Sequence, residues 1–172
     1  NPYGKSKLMI ESILQDYSKA YDFNSISLRY FNAAGADPDA EVGELRAEET
    51  HIIPLAIKAS LSGKGFGLNG DDYNTPDGTC VRDYVHVMDL ADAHLKALNL
   101  VGTKIKCASY NLGSGIPTSN KQMLDSVQKY AGNMEIRINP RREGDPDQLI
   151  ADISRVKKEL DWDPSNSSID NI

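Results

Sequence analysis

What the chain lacks narrows the field first. No apolar run in its 172 residues is long enough to span a bilayer, and no signal-peptide pattern stands at its start. Neither membrane insertion nor secretion is expected. Basic residues are not in excess: 19 Lys and Arg face 25 Asp and Glu, a formal charge of −6. That balance argues against a general grip on nucleic-acid phosphates, although local arginines still decide whether a small anion binds. Cysteine is scarce. Cys80 and Cys107 stand in no ligand-like spacing, and the three histidines, His51, His86 and His94, adjoin no cluster of metal-binding residues. Free thiols in a reducing compartment and no metal site are the expectation. With 40% hydrophobic and 26% charged residues and no low-complexity tract, the rest reads as an ordinary globular domain with its own core.

Apolar residues at Leu8, Ile10, Ile13, Leu14 and Tyr17 predict an amphipathic helix from Tyr3 to about Tyr21. Pro2 stands where a helix start tolerates proline. Ile26–Phe31 reads as a buried strand running into a polar, acidic loop over residues 33–49. A short helix is expected at Ile52–Leu61, with Pro54 in its first turn. GFGLN forms a short strand before a Gly/Asp/Asn/Pro-rich loop, and VRDYVHV a further strand. The helix MDLADAHLKALNL follows, with Asp89 placed to cap it. SYNLGSG is a strand and turn, in which Gly113 and Gly115 suit a turn and Asn111 a structural role. Thr118 or Ser119 opens the helix KQMLDSVQKYAG, which closes at Gly132. MEIRINP and Leu149–Ala151 are strands, and SRVKKELDW is a helix. Strand and helix alternate throughout, which indicates α/β organisation. Helix abuts Asn1-Pro2 with no strand ahead of it, and Ser167-Ser168-Ile169-Asp170 resembles the opening of another helix. A fragment is therefore expected.

Chemistry first shows in the opening NPYGKSK, where Tyr3 and Lys7 stand four apart. On a helix that spacing shares one face, with Cβ atoms about 6 Å apart. A phenol beside an ammonium has its anionic form favoured, which suits a general base for a sugar hydroxyl. Tyr-x-x-x-Lys also arises by chance on ordinary helices, so the pair alone leaves both readings open.

Its company is more specific. Tyr-Gly-x-Ser-Lys, followed about 25 residues later by SLRYFNAAGA, resembles the extended short-chain dehydrogenase/reductase family. GDDYNTPDGTCVRDYVHVMDLADAH, SYNLGSG and PRREGDP resemble its UDP-glucose (UDP-galactose) 4-epimerases, and the resemblance covers nearly the whole chain. It implies late strands and the catalytic helix of an NAD-binding Rossmann fold, plus most of a smaller α/β substrate-binding domain. The Rossmann part is expected at residues 1–32 and the UDP-sugar domain mainly at 33–172. A return of 82–112 to the Rossmann sheet stays open.

The resemblance also implies roles. Tyr3 matches the catalytic base, and Lys7 the residue that bonds the nicotinamide ribose and assists the base. Tyr30 joins them as a cofactor contact. Arg82 and Arg142 match the diphosphate-binding arginines, Asp145 the carboxylate on the uridine ribose, and Asn32 a contact near the sugar. Each arginine alone would read as half of a surface ion pair; arginine nevertheless suits the task, since its planar fork binds diphosphate oxygens in pairs. Asp83 and Tyr84 fit either the site or a buried carboxylate bracing a loop over a packed tyrosine. The implied protein is a cytoplasmic homodimer that binds NAD and a UDP-sugar and inverts C4 by oxidation, rotation of the keto sugar and re-reduction. A dehydratase or decarboxylase of the same scaffold, or a non-catalytic sugar-nucleotide module, are the rival readings.

Three positions depart from the family pattern. His51 replaces a frequent asparagine, and Asn69 stands where an aromatic residue commonly flanks uracil. Leu149 falls where some members carry a tyrosine bounding the sugar pocket, and members with smaller residues there accept N-acetylated sugars. One feature is missing: no G-x-x-G-x-x-G turn follows a strand anywhere in the chain. The expectation is a chain that begins inside the Rossmann half and, alone, has little activity.

Overall fold

The computed structural model describes residues 1–172. Helix α1 (Pro2–Tyr21) starts as proline and cap chemistry dictate: the Asn1 side chain accepts a hydrogen bond from the Gly4 N–H at 2.8 Å. Strand β1 (Ser25–Tyr30) pairs in parallel with β6 (Cys107–Leu112). Between them run β2 (Asn32–Ala34), α2 (Ile52–Ser62), β3 (Phe66–Asn69), β4 (Val81–Arg82), β5 (Tyr84–His86) and α3 (Val87–Leu100). After β6 come β7 (Thr118–Ser119), α4 (Asn120–Ala131), β8 (Ile136–Asn139), β9 (Gln148–Leu149) and α5 (Ser154–Leu160). β2 pairs with β5 and β3 with β8, all parallel; β4 lies between β7, antiparallel, and β9, parallel. The parallel pairs are joined through helices, as α/β crossovers require.

Two cores result. In one, α3 and α5 cover β5 and β6 through Val85, Leu90, Ala93, Tyr110, Leu112 and Trp162. In the other, α2 and α4 meet over β3 through Ala56, Ala59, Leu68, Leu124 and Val127, with Met134. Ser119 opens α4 with a full capping box against Gln122.

Several expectations are corrected. VRDYVHV is not one strand, because it breaks at Asp83 and its halves join different sheets. The fully buried Asp83 carboxylate causes the break. It accepts the Ser114 N–H at 2.6 Å and hydroxyl at 2.8 Å, and the Gly115 and Ala151 N–H groups at 3.0 Å each. The bracing role of this residue is what the structure shows. The start of the expected loop at residue 33 belongs to β2, drawn into pairing by β5. His86, not Asp89, caps α3, its Nδ1 accepting the Met88 N–H at 3.1 Å. Asp89 is buried and accepts instead from Asn166 and Ser167, tying the C-terminal segment to the helix. Residues 168–171 form turns rather than a helix. Gly113 serves packing, not turning: a Cβ there would lie 2.4 Å from Asp83 Oδ2, whereas Gly115, at φ +73°, is the turn glycine.

Most of the apolar stripe of α1 is left uncovered, with Tyr17 reaching only the rings of Tyr21 and Phe23. Leu8, Met9, Ile10, Ile13 and Tyr17 are exposed, and the residues turned toward the sheet are Glu11, Leu14 and Ser18. No helix is long and apolar enough to cross a membrane.

Candidate active site

Tyr3 and Lys7 occupy the first two turns of α1. The Lys7 ammonium stands 5.3 Å from the centre of the Tyr3 ring, and the ring is 71% exposed. One turn further on the same face, Glu11 accepts from Arg29 of β1 in a paired fork, with Nε to Oε1 at 2.6 Å. The guanidinium beside Glu11 holds its carboxyl below the usual range. This pair fastens the Tyr–Lys helix to β1, and sequence reasoning missed it. The signal was there: Tyr3, Lys7 and Glu11 repeat every fourth residue along one face.

Tyr30 is placed elsewhere. Adjacent strand residues point to opposite faces, and where Arg29 meets α1, Tyr30 meets α3. Its hydroxyl lies 2.5 Å from His94 Nε2. His94 Nδ1 donates to the Leu90 carbonyl at 2.7 Å, which leaves Nε2 facing the phenol. Partial burial raises the Tyr30 phenol above its usual range. Its side chain and the Tyr3–Lys7 pair therefore lie on opposite faces of β1. Asn32 begins β2, and its amide donates to the Asp83 carbonyl at 2.9 Å.

Arg82, Asp145 and Leu149 come together. Arg82 and Leu149 are register partners in the β4–β9 ladder. Arg82 Nη1 donates to the Val81 and Pro146 carbonyls, each at 2.9 Å, and Nη2 lies 3.5 Å from Asp145 Oδ1. The guanidinium is largely covered yet has only this one long carboxylate contact. Arg142 is exposed on the same loop and forms no ion pair. Two arginines with spare donors beside a carboxylate can hold a linear dianion and a neighbouring diol. Asn69 ends β3, where it accepts from Asn139 at 3.3 Å. His51 stands at the start of α2, with Nδ1 3.2 Å from Glu49 Oε1. No three His, Cys, Asp or Glu side chains converge as metal ligands. A surface hollow of about 560 Å³ on α4, lined by Gln122, Ser126, Lys129 and Asp170 among others, shares none of these residues.

Parallel α/β pairing with helices on both faces of β1, and an exposed Tyr–Lys pair on one of them, define a Rossmann-type α/β protein. The family model described as NAD dependent epimerase/dehydratase family matches residues 1–113, and the chain belongs to that family. The UDP-glucose 4-epimerase of Streptococcus mutans serotype c is 45% identical over 174 residues, which take in 100% of this chain and 52% of that protein. The crystal structure of UDP-glucose 4-epimerase from Brucella ovis in complex with NAD is 42% identical with a TM-score of 0.93. It is matched over 100% of this chain and 54% of its own. The structure from Bifidobacterium longum, in complex with NAD+ and UDP, is 38% identical with a TM-score of 0.89, over 99% of this chain and 52% of that one. The chain spans about half the length of the relatives it matches.

Proposed function

We propose that these residues serve, in the full-length protein, an NAD-dependent interconversion of UDP-glucose and UDP-galactose. The observation that carries this is the Tyr3–Lys7 pair, one turn apart and open to solvent, on a helix pinned to the parallel sheet by Glu11 and Arg29. Lys7 has no carboxylate partner, which fits an ammonium meant for the hydroxyls of a cofactor ribose. NAD, when bound, supplies hydride acceptance and return at C4 of the hexose.

The chain's own residues do the rest. The Tyr3 phenolate oxygen takes the O4 proton as the keto sugar forms and gives it back on re-reduction. Lys7 places positive charge beside that oxygen. Arg82 and Arg142 hold the diphosphate and Asp145 the uridine ribose, so the nucleotide stays fixed while the sugar turns. Asn32, Asn69 and His51 complete the pocket. A dehydratase or decarboxylase would need a further acid or base near C5 or C6 of the sugar, and an assay for loss of water or CO₂ from the UDP-sugar separates those reactions from epimerisation. Retention of both Tyr3 and Lys7 speaks against a non-catalytic module.

The test is Tyr3→Phe in the full-length protein. Loss of a general base predicts turnover about 10²- to 10⁴-fold slower with UDP binding unchanged. Undiminished turnover would refute the assignment.

Leu149 favours a second activity. It is 48% exposed and sits opposite Arg82 in the ladder, so its side chain flanks the expected diphosphate position without a hydroxyl or a large ring. Turnover of UDP-N-acetylglucosamine beside UDP-glucose follows, and Leu149→Tyr should suppress the N-acetylated substrate selectively. An unchanged ratio would sink the idea. The uncovered stripe of α1 supports a homodimer in which this face is buried. Light scattering that finds a monomer at micromolar concentration would exclude it. We place the protein in the cytoplasm, to be checked by fractionation.

A further inference from the structure

Two loops cross the molecule side by side. Residues 70–80 run from β3 to β4, and residues 140–147 from β8 to β9; β3 pairs in parallel with β8, and β4 with β9. The first loop delivers Arg82, and the second carries Arg142 and Asp145. Between the two ladders one side chain bridges the loops. Arg141 Nε donates to Asp72 Oδ1 at 2.5 Å and Nη2 to the Asp72 carbonyl, while its guanidinium carbon lies 4.2 Å from the centre of the Tyr73 ring. Tyr73 is a fixed platform: it is only 4% exposed, and its N–H donates to the Gly78 carbonyl at 2.9 Å. Gly70 makes room for the stack, since a Cβ there would lie 2.5 Å from the Tyr73 ring and 2.8 Å from Arg141 Cγ. The Tyr73 hydroxyl is buried without a well-formed hydrogen bond, its polar neighbour being the Cys80 thiol, and the ring serves as a surface for the cation.

We propose that Asp72, Tyr73 and Arg141 form a clamp that positions Arg142 and Asp145 relative to Arg82, and so sets the affinity for a nucleoside diphosphate. The doubled arginine of PRREGDP thereby divides its labour: Arg141 is spent inside the protein, and Arg142 faces the ligand. These are positioning residues, and the inference rests on the reading of the Arg82 region as a UDP-sugar site.

The experiment measures UDP binding by calorimetry and epimerase kinetics on the full-length protein and three variants. Arg141→Met and Asp72→Asn should each weaken UDP and raise KM for the UDP-sugar by about threefold to tenfold, with kcat and melting temperature unchanged. Tyr73→Phe keeps the ring and should match the wild type in every readout. The double variant Asp72→Asn/Arg141→Met should be no worse than Arg141→Met alone, because one interaction is removed in both. Unchanged UDP affinity in Arg141→Met overturns the clamp, as does a fall in kcat and melting temperature with KM unmoved, and so does loss of affinity in Tyr73→Phe. A wild type that binds no UDP overturns the site reading itself, and the clamp with it.

Discussion

Replacing Asp83 by asparagine exchanges one carboxylate oxygen for an amide NH₂ in a fully buried site with no slack. Oδ1 accepts two hydrogen bonds from Ser114, and Oδ2 accepts one each from Gly115 and Ala151. With the NH₂ at Oδ2 two backbone donors face a donor; with it at Oδ1 the Ser114 N–H does, while the Ser114 hydroxyl can turn and accept. Gly113 leaves no room for retreat, because even its absent Cβ would stand 2.4 Å from Oδ2. Each buried donor left unpaired costs about 1–3 kcal/mol, so with one or two unpaired the variant should lose roughly 1–6 kcal/mol. With a urea slope of about 2–3 kcal/mol per molar, the unfolding midpoint falls by roughly 0.3–3 M. The assay is urea denaturation followed by far-UV circular dichroism, with wild type and variant matched in concentration. A midpoint shift below about 0.3 M would refute the account of Asp83 as the fastening of three chain segments.

Gly113→Ala tests the same junction from the other side: the methyl group meets both Asp83 and the Ala151 side chain at 2.6 Å, and overpacking of about 1–3 kcal/mol should appear in the same assay. Gly115→Ala should destabilise by a separate route, backbone strain at φ +73°, and the two losses should not depend on the same partner. Glu11 makes α1 sensitive to acid. Its folded carboxyl titrates below the unfolded one, so the pair's contribution is complete above the unfolded value near 4.5 and is lost as pH falls through the folded value. Amide exchange in α1, corrected for intrinsic rate, should therefore accelerate on acidification below about pH 4. In Arg29→Met it should be fast already at neutral pH, and a flat profile in the wild type would contradict the role of the pair.

Local signals made most elements legible. Pro2 and the apolar period mark the start and course of α1, and Ser119 opens α4. What was not legible depends on partners distant in the chain. The break in VRDYVHV is made by residues 31 and 68 positions away from Asp83. Asp89 looks like a cap in sequence because it stands in the first turn, but Asn166 and Ser167 claim its oxygens and His86 takes the cap. At the candidate site the four-residue spacing of Tyr3 and Lys7 was enough to place them on one face. The nearness of Arg82 to Asp145 and Leu149 was not readable from spacing, since it follows from a ladder of only two residue pairs. Strand alternation separates Arg29 from Tyr30, yet nothing in the sequence says which of the two faces α1.

The β4–β9 ladder also has a consequence in time. Arg82 leans on the Pro146 carbonyl, 64 positions later in the chain. At a synthesis rate of about 5–20 residues per second, the strand carrying Arg82 waits roughly 3–13 s for that partner to be made. Through that interval one edge of β4 stands unpaired, and the Arg82 side chain has no fixed direction. The cluster proposed to grip the nucleotide thus assembles well after the helix bearing Tyr3 and Lys7 has had time to form.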